Sequence, residues 1–218
     1  MNLKRFQAFT MAEVLVTLVI IGVIAAMTIP TLNMNTKSNE YVTGCLKAYS
    51  ILSQTINRMK IDLGPVGFGT KWNSPEEFWK AFSAQLNTAK ICAKDEKGCN
   101  FEGIPKHLQG SVHTNSFDGY AYNMVTTDGM TFNYSTTDCN GKGLSTERQN
   151  NCMGRFAVDV NGYRGPNRFG NDIFFFCLIK GEGIVPAGVD NNAEDCKKGS
   201  DGITCAAKVV NEKKLEIK

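Results

Sequence analysis

From Phe9 to Leu32 the chain runs for 24 residues with one charge, Glu13. As a helix this stretch would be about 36 Å long, enough to cross a bilayer with its backbone groups satisfied internally. The flanks do not suit an ordinary secretory signal, because the basic leader MNLKRFQA is short and no small-residue cleavage site follows the apolar run. Pro30 and Thr31 close its most apolar part. A plain single-pass anchor oriented by Lys4 and Arg5 accounts for the topology, but it leaves Glu13 without a role. A carboxylate this far into a membrane span costs about 2.5–3.5 kcal/mol on insertion scales, so it needs a partner. Cleavage between Ala8 and Phe9 would create one: Glu13 would become the fifth residue, and the new α-amino group of a neighbouring copy would neutralise it.

The segment AFTMAEVLVTLVIIGVIAAMTIPTL, from Ala8 to Leu32, resembles the cleavage and methylation motif of type IV prepilins and type II secretion pseudopilins. The likeness rests on Phe9 at the new terminus, Thr10 beside it, Glu13 at the fifth position, Gly22 in mid-helix and Pro30 near the end. In that family a membrane aspartyl peptidase removes the leader and N-methylates the exposed phenylalanine, and an ATPase-driven machine builds the subunits into a helical filament. The resemblance therefore implies processing at Ala8 and Phe9 and assembly through Glu13, Gly22 and Pro30. It also implies three kinds of partner: other pilin or pseudopilin subunits, the prepilin peptidase and an inner-membrane assembly platform. The location implied is a single pass through the bacterial cytoplasmic membrane with an extracytoplasmic head, then a filament or the cell surface. Ala8 departs from the glycine usual before the bond, which predicts slower cleavage, and Met11 replaces the commoner leucine or isoleucine. Gly22 and Pro30 are also tolerated in membrane helices without any special role. At Pro30, however, the missing backbone donor makes a weak point at which the helix could bend during packing.

The organisation expected is a leader over 1–8, a hydrophobic helix over 9–32 and a head over 33–218. The chain is 42% apolar and 21% charged, ordinary for a folded protein. Without its first eight residues it carries 22 basic and 21 acidic side chains, a net +1 that gives no support to nucleic-acid binding. Eight cysteines without a CxxC pair point to an oxidising compartment rather than to zinc. Cys92 with Cys99, Cys139 with Cys152 and Cys196 with Cys205 are close enough to staple three loops. Cys45 and Cys177 would then join the long helix to a strand.

The head reads as α+β, with the long helix packed on a four-stranded antiparallel sheet. Tyr41, Cys45, Ala48, Tyr49, Leu52, Ile56 and Met59 recur at spacings of three and four, which makes the second half of the helix amphipathic. Gly64 and Pro65 stop it. Ser74, Pro75 and Glu77 start a second, short helix with Phe78, Trp79, Phe82 and Leu86 inward. Thr88 to Gln109 reads as a stapled loop with little regular structure. Four strands follow: Tyr120–Val125 and Met130–Tyr134 as a hairpin, then Arg155–Val160 and Asp172–Ile179. Alternation in the last places Ile173, Phe175, Cys177 and Ile179 on one face, under the long helix. The segment from Asp190 onward is polar until Cys205 and closes with a short helix or strand.

No dinucleotide, Walker, zincin or nucleophile-elbow motif occurs, so nothing supports an enzyme. His107 and His113 lie in a polar stretch with no thiol or carboxylate cluster. Asn133, Tyr134 and Ser135 form a glycosylation sequon, but inside an expected strand. Asp159, Asn161, Asn167 and Asp172 offer oxygen ligands in DVNGYRGPNRFGND, and calcium is the candidate ion because it accepts irregular loops and many hard oxygens. The spacing is not that of an EF-hand. Secretion pseudopilins bind calcium in a head loop, so the resemblance implies the same ion. The competing reading is a purely structural turn at Asn161 and Gly162, with the Asp and Asn side chains capping backbone groups. Two functions from different classes remain: a filament subunit, or a membrane-anchored binding module that does not polymerise.

Overall fold

A computed structural model describes residues 10–63, 74–117, 120–137, 139–190, 196–197 and 199–215. The chain divides into two compact units, Met1–Ser38 and Asn39–Lys218. Helix α1 (Met11–Leu63) contributes to both. It is assigned without interruption past Pro30, although that residue has no N–H to give the preceding turn. Every side chain the apolar motif placed between Met11 and Ile29 that is large and hydrophobic is exposed, from Met11 at 83% to Val14 at 45%. From Tyr41 the same helix changes character. Val42, Cys45, Ala48, Leu52, Ile56 and Met59 are buried in the main core of the head, the stripe that the three-and-four spacing predicts.

The order after α1 is α2 (Pro75–Ser83), β1 (Thr88–Cys92), β2 (Tyr122–Thr126), β3 (Thr131–Ser135) and α3 (Thr146–Asn150). Then come β4 (Cys152–Asp159), β5 (Ile173–Ile179), β6 (Gly183–Pro186) and α4 (Cys205–Glu212). Helix α2 starts as its sequence requires, with the Ser74 hydroxyl accepting from the Glu77 amide at 3.2 Å and Pro75 in the first turn. Its Phe78, Trp79 and Phe82 form an aromatic layer with Tyr122, Tyr134 and Phe156 of the sheet, ring centroids 4.9–6.5 Å apart.

The sheet has six strands in the order β1-β2-β3-β4-β5-β6, all neighbours antiparallel, where the sequence suggested four. Both additions are short edges that hydrogen bonding creates and hydrophobic patterning does not announce. Strand β1 lies in the segment read as irregular; its Ala89, Lys90 and Ile91 are exposed, and the register shifts between Thr88 and Lys90. Strand β6 runs from Gly183 to Pro186, and an edge tolerates a proline because one side of the ladder needs no donor.

A second correction concerns which face of β5 meets α1. Phe174, Phe176 and Leu178 pack in the α1 core, and Tyr49 of α1 stacks on Phe176 at 6.0 Å. Ile173 and Phe175 belong instead to a cluster with Phe101, Phe117 and Phe169, and Cys177 and Ile179 to one with Cys139, Leu144 and Val185. All seven residues of β5 are buried, so the strand is covered on both faces and alternation could not choose between them. The pairing of Cys45 with Cys177 fails for the same reason: the two thiols lie on opposite faces of the sheet, both free and buried. The other six cysteines are joined as Cys92–Cys99, Cys139–Cys152 and Cys196–Cys205.

Candidate functional site

Two regions hold the residues that the sequence marked. At the start of α1 the Thr10 carbonyl accepts the first helical bond from Val14, at 3.3 Å. Thr10 is thus the N-cap, and Glu13 stands three residues on. The Glu13 amide donates to the Thr10 hydroxyl oxygen at 3.3 Å, while the Glu13 carboxylate accepts from the Thr10 amide at 2.9 Å and from its hydroxyl at 3.0 Å. This is a reciprocal capping box. Glu13 therefore has a partner inside its own subunit, and Thr10, which the motif marks only by its place beside Phe9, is that partner. The signal was present, a threonine with a glutamate three residues later before an apolar run. Gly22 lies on the exposed helix, and a Cβ built there would meet nothing within 4 Å. Its lack of a side chain serves no packing among the described residues. Ala8 and Phe9, like Gly64 and Pro65, lie outside the described residues.

The second region is the β4–β5 connection, where the fold brings together all four of the oxygen-bearing residues. Asp159 ends β4 and pairs with Ile173; Asp172 immediately precedes it, and its carbonyl accepts from the Val160 amide at 2.9 Å. Both carboxylates are fully buried. Asp159 Oδ1 accepts from the amides of Asn161 and Gly162 at 3.1 and 3.0 Å, and the two oxygens of Asp172 accept from Asn167 and Arg168 at 2.8 and 2.7 Å. Each acid thus folds one half of the loop. Gly162 sits at φ +65°, and a Cβ there would stand 2.3 Å from the Gly129 carbonyl oxygen, so the turn requires glycine. Burial, and then the charge of Asp172, hold the Asp159 carboxyl well above the ordinary carboxylate range. Burial raises Asp172 too, against the amides of Arg168 and Asn167 and the side chain of Asn161. The donor set suits a hard cation. Asp159 Oδ2, Asn161 Oδ1 and Asn167 Oδ1 are buried without a hydrogen-bond donor among the described residues.

Elsewhere the candidates thin out. His113 Nδ1 and His107 Nε2 are 3.3 Å apart, and both rings lie against Phe169. Among the described residues no three His, Cys, Asp or Glu side chains converge on one point. Asn133 is fully buried in β3 with its amide donating to the Ala157 carbonyl at 3.3 Å, which leaves the sequon no room for a glycan.

An α+β head on a helix whose first part is apolar, exposed and long enough to span a bilayer is compatible with a membrane-anchored, single-pass protein. Residues 3–29 match the family model of the prokaryotic N-terminal methylation motif, the signature of pilins and pseudopilins. No match was found among curated proteins or among solved structures.

Proposed function

We propose that the chain is a structural subunit of a type IV filament or of a type II secretion pseudopilus, made with a leader, cut between Ala8 and Phe9 and assembled through α1. The observation that supports this reading is the coincidence of the methylation motif at 3–29 with the part of α1 whose large apolar side chains, among the described residues, are exposed. Lipid covers such a surface before assembly and other copies cover it afterwards. In this reading Glu13 is satisfied by Thr10 in the lone subunit and attracts the α-amino group of a neighbour during packing.

Mass spectrometry of the chain from the producing cells tests the processing: loss of residues 1–8 with one added methyl group is expected, whereas an intact Met1 in membranes would favour a non-polymerising anchored module. Assembly is tested by Glu13→Ala, expected to leave the disulfide-bonded head unchanged while filament incorporation falls at least tenfold. Wild-type incorporation by that variant would sink the docking role of Glu13.

A further inference from the structure

Strand β4 presents Arg155 on the face of the sheet that α1 does not cover. Its neighbour Phe156 packs in the α1 core, so by alternation Arg155 projects from the other side, level with Ser135 of β3 and Cys177 of β5. There it lines a cavity of about 510 Å³, together with Lys94, Tyr120 and the short polar side chains of Asn115, Ser116, Ser135 and Thr137. The guanidinium hydrogen-bonds to the Tyr120 hydroxyl. Its Nε, however, is buried without an acceptor, and neither Arg155 nor Lys94 forms an ion pair among the described residues. The described residues that line the cavity thus include two cations and no acid. The surroundings on this side of the sheet are cationic as well: burial holds His113 below the usual imidazole range, and the charges of His107, Lys142 and Arg155 lower it further.

We propose that this cavity binds an acidic sugar, whose carboxylate sits on Arg155 and whose hydroxyls meet Asn115, Ser116, Ser135 and Thr137. A guanidinium offers parallel N–H donors in one plane, which match a planar carboxylate, and one such group neutralises one monoanion. A phosphate dianion would ask for more charge than this single half-buried cation supplies. The cavity falls in the range of about 300–1,000 Å³ typical of small-molecule sites and is far larger than a bare ion needs, so the anion is carried on a larger body. That body is polar, because an apolar one would leave three hydroxyls and an amide unpaired. Ser135 and Thr137 are set in place by a hydrogen bond between their hydroxyls at 3.0 Å and by the Thr137 amide donating to Ser135 Oγ at 3.3 Å. A hydroxyl has one donor and two acceptor sites, so the pair keeps capacity for a ligand. The Tyr120 ring gives the sugar an apolar surface to lie on.

This inference needs neither cleavage nor polymerisation, so it stands or falls apart from the filament reading. The full chain in detergent micelles is titrated with sodium glucuronate by calorimetry, and in parallel with glucose and with glucose 6-phosphate at matched ionic strength. Saturable binding of glucuronate is expected, about tenfold or more tighter than that of either comparison sugar. A glucuronate oligosaccharide separates two sources of the same group: tighter binding than the monomer assigns a polysaccharide residue, equal affinity a free sugar, and both support the site. Arg155→Gln should weaken glucuronate binding about tenfold or more, which is the loss of one charge-assisted bidentate contact. Lys94 is exposed, so Lys94→Glu tests the same field without disturbing the core, and it should weaken binding severalfold. Absence of saturable glucuronate binding, glucose bound as tightly, glucose 6-phosphate bound more tightly, or glucuronate affinity unchanged by Lys94→Glu or by a folded Arg155→Gln would each overturn the proposal.

Discussion

Asp159 shows at one residue how a loop can be well ordered and still costly. Its Oδ1 organises two backbone amides while its Oδ2 is buried without a donor among the described residues. Burial and the charge of Asp172 lift its folded pKa far above that of the unfolded chain. The native state then binds more protons than the unfolded state at pH values between the two, so the contribution of Asp159 to stability is present below about pH 4 and lost as pH rises through the folded value. In calcium-free buffer, Asp159→Asn should retain the Oδ1 acceptor, place an amide donor near the unpartnered oxygens and remove the penalty. The variant is expected to melt at or above the wild-type temperature at pH 7, with a smaller loss between pH 4 and 7. Thermal melts across that range check it, and a variant that loses stability at every pH would contradict the sign. Glu13, a third carboxylate that the sequence marked, is held differently, because the Thr10 amide and hydroxyl both donate to it.

At the scale of elements, β5 explains why the cysteine pairing went astray. A strand with seven buried residues carries no polar face to orient it, so Cys177 could be assigned to the α1 side only by choosing a register that packing did not select. Cys45 and Cys177 are left as two separate core thiols; burial pushes Cys177 up to about 12 and Cys45 higher, which removes their nucleophilic form near neutral pH. Alkylation followed by peptide mapping should find neither modified in the native chain. Both, and no other cysteine, should react after unfolding without reductant. Any disulfide peptide containing Cys45 would refute that assignment. The three local staples were legible because their partners are separated by only 7, 13 and 9 residues, whereas strands β1 and β6 were not, because edge pairing depends on a neighbour rather than on a pattern.

For the whole molecule, the decisive contrast lies along α1. Large apolar side chains between Met11 and Ile29 are exposed, while those from Val42 to Met59 are core. Deleting residues 1–32 should therefore give a soluble monomer, since the retained stripe has the sheet to cover it and the deleted one has only lipid or other copies. Analytical ultracentrifugation reads the outcome, and persistent association of the truncated chain would mean that the head carries a self-interaction of its own. Reduction should lower its melting temperature, because a closed loop of about 15 residues is worth roughly 3 kcal/mol in the chain-entropy model, a large share of a domain's net stability. A melting temperature indifferent to reductant would show that the staples do not hold the head.

The methylation motif over residues 3–29 and the apolar helix could be read from the chain because such signals are local: each lies within a short run of residues that is recognisable without a fold. The start of α2 at Ser74 and the turn at Asn161 and Gly162 were legible on the same ground, for capping and positive φ are satisfied within a few residues. Packing alone placed Cys177 away from α1, added β1 and β6 to the sheet, and set Glu40 of α1 against Arg164 of the β4–β5 loop. Those outcomes depend on which of two buried faces meets the helix and on which backbone donors find a neighbour, and both are settled between residues far apart in the chain.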